Sequence, residues 1–301
     1  MSVIELLINV MGPVVLIIGL GWFTGRRIDV DINTLSKLAF YVLGPAFVLD
    51  VFADAELDGS VVIQLTIASL VGMLAGGLVA YGAARANRFD PKRTGSAVLT
   101  GSFGNTGNAG LAISAFAFGD SAIAVAAVVM IVINITGVVV GVALASAKEN
   151  GLGQALWRSL TGPIPLAAAL AVVLNVIDVE FPLVFERSIS ILGTALIPMM
   201  LLTLGIQMAG DRQISLERDL GVTSVAKLIA APAVAALVGL GFGLEGETFG
   251  VLVIQSAMPP AVFCSVVALE FDMKPELTTR TVLGTTLVAL ITLPVVLVAV
   301  T

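Results

Sequence analysis

The sequence predicts an all-α polytopic membrane protein of ten transmembrane helices, built as two inverted five-helix repeats. Three observations lead there: an apolar composition, a one-sided distribution of basic residues, and helix breakers that recur at matching intervals. Of 301 residues, 58% are hydrophobic and 12% charged, and mean hydropathy is +1.06. Soluble domains are about a quarter charged, because a water-facing surface needs ions. A chain this apolar needs lipid as its solvent, and in lipid only helices or a closed barrel satisfy their own backbone. The apolar runs are about 20 residues long and continuous rather than alternating, which selects helices.

Ten spans follow, at 3–24, 36–53, 60–84, 94–117, 121–146, 161–178, 188–209, 221–243, 248–270 and 279–300. The first run lacks a basic flank and a small-residue cleavage site, so it is expected as a retained helix. Basic residues collect in the odd-numbered connections. These hold Arg26, Arg27 and Lys37, then Arg85, Arg88, Lys92 and Arg93, then Lys148 and Arg158. Arg212, Arg218 and Lys227 follow, and Lys274 and Arg280 complete the set, which makes 14 of the chain's 15 basic residues. The even connections hold only Arg187, with acids such as Asp54, Glu56, Asp58, Asp120, Asp178, Glu180, Glu245 and Glu247. The positive-inside rule then puts the odd connections in the cytoplasm and both termini outside.

Two repeats of five spans enter the membrane from opposite faces. The helix breakers support that duplication. Span 2 contains Gly44-Pro45 and span 7 contains Pro198. Span 4 carries Gly101, Gly104, Asn105, Thr106, Gly107, Asn108 and Gly110, and span 9 carries Gln255, Met258, Pro259 and Pro260. Pro45 to Asn105 is 60 residues and Pro198 to Pro259 is 61; Pro13 to Pro45 is 32 and Pro165 to Pro198 is 33. These offsets divide the chain into repeats at 1–150 and 151–301, split near Asn150–Gly153.

The interrupted spans locate the candidate binding site. Glycine costs about 1 kcal/mol per helical position relative to alanine, and proline removes a donor and clashes with the preceding turn. Backbone groups freed in the bilayer must meet protein or a water-filled cavity. Breaks at equivalent places in two repeats therefore mark a midplane site, where half-helix N-termini suit an anion without any buried Lys or Arg. The substrate-binding candidates are Asn105, Thr106, Asn108, Asn134, Gln255, Pro259 and Pro260. Asn134 and Gln255 are each either an interhelical strut or part of the cavity. Asp50 is either a solvated rim residue of span 2 or a group that couples transport to an ion. Lys227 is expected to snorkel to the cytoplasmic interface, and Glu270 to be wet. The chain has no histidine and one cysteine, Cys264. That removes histidine relays, histidine metal sites and disulfides, and leaves no hydrolase constellation, so no enzyme, metal or cofactor is expected. The coupling ion, H+ or Na+, stays open, and no nucleic-acid partner is expected.

Ordered motifs run along the chain: Tyr41 to Pro45 and Asn105-Thr106-Gly107-Asn108 in the first half, then Gly162-Pro163, Ser188 to Gly193, Leu204-Gly205, Ala231-Pro232-Ala233, Ala257-Met258-Pro259-Pro260, Glu270-Phe271-Asp272 and Leu293-Pro294. In these the chain resembles the auxin efflux carrier family, which includes plant auxin exporters and bacterial carriers of malonate and malate. The resemblance implies a ten-helix fold with broken crossover helices 4 and 9, an architecture like that of sodium–proton antiporters and bile-acid symporters. It implies a scaffold of helices 1, 2, 6 and 7 that dimerises, and an elevator movement of a transport part, helices 3–5 and 8–10. The family's crossover asparagine falls on Asn105, its helix 9 proline on Pro259, and a helix 5 polar residue on Asn134. Many relatives place a proline in the helix 4 crossover; this chain has only Gly and Asn there, which leaves the geometry of the break open.

The expected function is transport of a small organic anion, a carboxylate, across the plasma membrane by a homodimeric carrier. The alternatives are a sodium-coupled symporter of the bile-acid type, which would place an acid near the crossover, and a channel or membrane sensor on the same scaffold. A sodium–proton antiporter needs paired mid-membrane carboxylates, which the sequence lacks.

Overall fold

A computed structural model describes residues 5, 7–53, 57–146, 157, 160–177, 181–210, 218–270 and 273–301. The expected repeat boundary at Asn150–Gly153, the Phe271-Asp272 motif, and the loop charges Asp54, Glu56, Lys148, Arg158, Asp178, Glu180 and Arg212 lie outside the described residues.

In chain order the helices are α1 (Ile8–Arg27), α2 (Ile32–Phe52), α3 (Gly59–Ala86), α4 (Pro91–Ser102), α5 (Leu111–Phe118), α6 (Ser121–Ser146), α7 (Pro163–Val176), α8 (Leu183–Met208), α9 (Arg218–Gly241), α10 (Gly246–Ser256), α11 (Phe263–Glu270) and α12 (Pro275–Val300). Among the described residues, α1, α2, α3, α8, α9 and α12 are each long and apolar enough to cross a membrane. The chain is a multi-pass, all-helical membrane protein. Large apolar side chains such as Leu16, Leu20, Leu166, Leu170, Ile291 and Val295 project outward, as a lipid-facing surface requires.

Local chemistry sets the helix ends. Asp31, Asp58 and Asp90 stand at N-caps, accepting from the backbone N–H of Asn33, Ser60 and Arg93, which satisfies donors the first turn leaves free. Pro91, Pro163 and Pro275 open their helices, where a missing N–H costs nothing. Prolines inside the spans act differently. Three wide π-turns, Leu7–Met11, Ala39–Leu43 and Val225–Ala230, each end two residues before a proline: Pro13, Pro45 and Pro232. The proline ring displaces the carbonyl four residues back, and the turn widens to recover its hydrogen bonds. The Gly44 N–H accordingly reaches five residues back to Ala39 O.

Helix pairs approach closely through small residues. α1 lies along the Leu196–Met208 half of α8, with Gly21 against the backbone of Leu202 and Gly205 against that of Ile18. α2 packs on α7 and on the first half of α8. α3 lies between α4 and α9; α10 packs on α9, α6 and α12; α12 also meets α4 and α11. Without a hydrophobic effect between helices in lipid, such backbone approach and shape matching hold the bundle together.

Candidate functional site

Two segments stop being helical in mid-course, and they do so against each other. α4 ends at Ser102, and the chain turns helical again at a π-turn, Thr106–Gly110, that leads into α5. α10 ends at Ser256, and α11 begins at Phe263. Between them Gly104 and Pro260 face one another as an antiparallel bridge. The Asn105 N–H donates to Pro259 O at 2.7 Å, and the Ala261 N–H donates to Phe103 O at 3.0 Å. Pro259 and Pro260 have no N–H, so their stretch offers mostly carbonyls, and the glycine- and asparagine-rich stretch supplies a matching donor. Each break thus satisfies backbone groups of the other where water is scarce. Glycine and asparagine suffice for the first break without a proline.

The crossing gathers most of the residues the sequence singled out. Asn105 is buried, and its Oδ1 accepts from the Asn108 N–H at 3.4 Å, capping the π-turn. Thr106, Gln255, Pro259 and Pro260 are buried, and Asn108 is half-buried. Gln255 is 0% exposed; its Nε2 donates to Ala126 O at 3.5 Å, and its Oε1 finds no hydrogen-bond partner among the described residues. Two candidates lie elsewhere. Asn134 sits on an exposed face of α6 and does not line the cavity, although its neighbour Ile133 does. Asp50 is half-buried on α2, against Gly193 of α8, and is not among the cavity residues.

Beside the crossing lies a small pocket with room for about one water molecule, lined by Ser69 of α3, Ser102, Thr106, Lys227 of α9, Gln255 and Ser256 together with apolar neighbours. Lys227 corrects two expectations. It does not snorkel to an interface: it is 3% exposed, and its Nζ donates to Ser256 O at 2.7 Å. The site therefore does contain a buried basic residue. Two features make room for it. Lys227 lies within the wide turn ahead of Pro232, and a Cβ on Gly104 would stand 2.9 Å from Lys227 Cε and 3.0 Å from Nζ. The ammonium sits at the C-terminal end of α10, where the helix dipole concentrates partial negative charge.

Sequence reasoning also passed over Ser69, Ser102 and Ser256. Ser102 and Ser256 adjoin the marked runs Gly101–Gly110 and Gln255–Pro260 and were legible by adjacency. Ser69 had no signal, being one hydroxyl in an apolar span. Its Oγ is buried without a hydrogen-bond partner among the described residues.

A polar tie joins α4 to α9. Arg93 Nε donates to Asp219 Oδ1 at 3.0 Å and Oδ2 at 3.1 Å, linking the starts of α4 and α9, and the guanidinium lies 4.3 Å from the centre of the Phe89 ring. Outside the spans, the Arg93 backbone N–H holds the Asp90 carboxyl below its ordinary value, aided by Lys274.

A family model described as membrane transport protein matches residues 150–297. Auxin efflux carrier component 3a of Oryza sativa subsp. japonica is 32% identical over 142 residues, covering 45% of this chain and 23% of that protein. Over its second half the chain is similar to this membrane transport protein family, and over 45% of its length to auxin efflux carriers. Other relatives match along the length of the chain. The uncharacterized transporter YfdV of Escherichia coli (strain K12) is 26% identical over 279 residues, 87% of each chain. An uncharacterized transporter of Methanothermobacter thermautotrophicus is 22% identical over 267 residues, covering 88% of this chain and 87% of that protein. These similarities mark the protein as a membrane transporter and not an enzyme.

Proposed function

We propose that the protein is a secondary carrier of a small organic anion, a carboxylate, which binds at the crossing of the two interrupted segments. The observation that carries this reading is the crossing itself: amides, hydroxyls and one ammonium converge on two backbones that clasp each other in mid-bundle. Among the described residues lining the cavity none is acidic, which suits an anion.

In this reading ten spans form two inverted repeats, residues 1–150 and 151–301. The packing supports it, because contacts occur in matched sets: α1 with α8 and α7 with α2, α3 with α4 and α9 with α10, α6 with α10 and α12 with α4. α1, α2, α7 and α8 are the scaffold and carry the homodimer contact; the remaining helices are the transport part, which moves as an elevator. Both termini face outward from the plasma membrane. Asn105, Thr106, Asn108 and Gln255 contact the anion, with Pro259 and Pro260 shaping the break; Asn134 and Asp50 remain candidates from the exposed flank of α6 and from the scaffold.

The test is counterflow in proteoliposomes, with substrates first selected by thermal shift against mono- and dicarboxylates, indole acids and amino acids. Saturable exchange of a carboxylate is expected. Flux that grows linearly with concentration and shows no exchange would mark a channel and overturn the carrier reading.

A further inference from the structure

The cavity beside the crossing is lined by oxygens of a kind that bind small monovalent cations. Ser256 O is a carbonyl at the C-terminal end of an interrupted helix. Gln255 Oε1 and Ser69 Oγ are buried and lack a hydrogen-bond partner among the described residues, and the hydroxyl-bearing Ser102 and Thr106 line the same space. In carriers with broken helices, half-helix C-terminal ends and unwound carbonyls are where coupling cations are held. Here that space already contains a cation. The Lys227 ammonium reaches in from α9 and donates to Ser256 O at 2.7 Å. Gly104, which lacks a side chain, makes room for the last atoms of the lysine. Among the described residues no carboxylate lines the cavity to pair with it.

We infer that Lys227 is a tethered substitute for a coupling cation: its ammonium occupies, covalently held, the position that a free sodium ion or other small cation would take beside the crossing. The group that faces the C-terminal end of α10 is then supplied by the chain itself. Substrate binding does not wait for a cation to arrive, and removing the lysine leaves an oxygen-lined vacancy that a free cation can fill. This rests on the carrier reading for its meaning in transport, but the occupancy itself is measurable without any substrate.

The experiment is thermal unfolding of the purified full-length protein in detergent at constant ionic strength. N-methyl-D-glucamine chloride is exchanged in steps for sodium, lithium, potassium, ammonium or methylammonium chloride. The wild type should be indifferent to the exchange. Lys227→Ala should be less stable in N-methyl-D-glucamine and should recover saturably with at least one small cation. Lys227→Met, which fills the space without charge, should be destabilised and recover with none. Saturable stabilisation of the wild type by sodium would overturn the inference, as would a Lys227→Met variant as stable as the wild type. A folded Lys227→Ala variant that responds to no cation would do the same. If Lys227→Ala does not fold, the wild-type series and Lys227→Met still decide. Failure of counterflow with a wild type indifferent to sodium would refute the carrier reading and leave the tethered cation standing.

Discussion

Two glycines on one face-to-face pair of helices should respond to the same substitution with opposite signs. Gly21 and Gly19 are two residues apart on α1. A Cβ at Gly21 would lie 2.2 Å from Leu202 O and 3.0 Å from that residue's C and Cα, whereas a Cβ at Gly19 would meet nothing within 4 Å. The obstructing atoms at Gly21 are all backbone and cannot rotate away. α1 and α8 must therefore part by about 1 Å, and a gap of that size forfeits about a quarter to a half of each contact's attraction. Gly21→Ala should cost about 2–3 kcal/mol, the upper part of the range for overpacking. Gly19→Ala should be neutral or stabilise by up to about 1 kcal/mol through helix propensity. Thermal unfolding in detergent should show Gly21→Ala lower by about 4–12 °C, at about 2–4 °C per kcal/mol for a sizeable chain. Equal melting temperatures for the two variants would refute the argument that α1 and α8 meet backbone to backbone.

Asn105→Ala should fold with a loss of about 1 kcal/mol, the cost of an N-cap, because the backbone bond to Pro259 O survives; it should lose ligand-induced thermal stabilisation and counterflow. Asp219→Ala strips Arg93 of a buried partner while leaving the guanidinium about a quarter exposed, so unfolding should show a loss of about 1–3 kcal/mol, between exposed and fully buried pairs. Gly110→Ala would press on the end of the buried Gln255 side chain; adding Gln255→Ala should restore part of the lost melting temperature, a coupling a double-mutant cycle reads directly. Three capping carboxyls are held below their ordinary value of 3.8: Asp31 chiefly by the Thr34 hydroxyl, Asp58 by the Ser60 N–H and Asp90 by the Arg93 N–H. Their contribution is present above that value and lost as pH falls through the lower folded-state values, so the melting temperature should drop only in strong acid, and less steeply when all three are asparagine.

The positions of the interruptions were legible because glycine and proline act locally: the dense Gly101–Gly110 run and the Pro259-Pro260 pair weaken a helix from within. The same holds for Pro45, Pro198 and Pro232, whose effect reaches back only a turn. What was not legible depends on partners far along the chain. Lys227 in an apolar run reads as a residue that reaches for water. Its burial requires the bare Gly104 more than a hundred residues earlier and the free carbonyl of Ser256, and neither is visible from its own neighbours. Asn134 shows a second limit of reading from sequence. An amide in mid-span is a sound reason to look for a partner, but periodicity in an all-apolar helix does not tell which face meets the cavity, and the structure turns this one outward. Ser69 carries no local mark at all.

The clasp between the two interrupted segments is made of main-chain atoms. Asn105 N with Pro259 O and Ala261 N with Phe103 O are bonds that any amino acid other than proline can make at the donor positions. Such a joint is blind to the identity of the side chains it carries. In the proposed carrier the residues around it are therefore free to be exchanged for others that recognise a different cargo, while the meeting of the backbones persists, on the one condition that position 104 stays small enough to admit Lys227. One scaffold can in this way serve many substrates, with recognition and assembly written in different atoms.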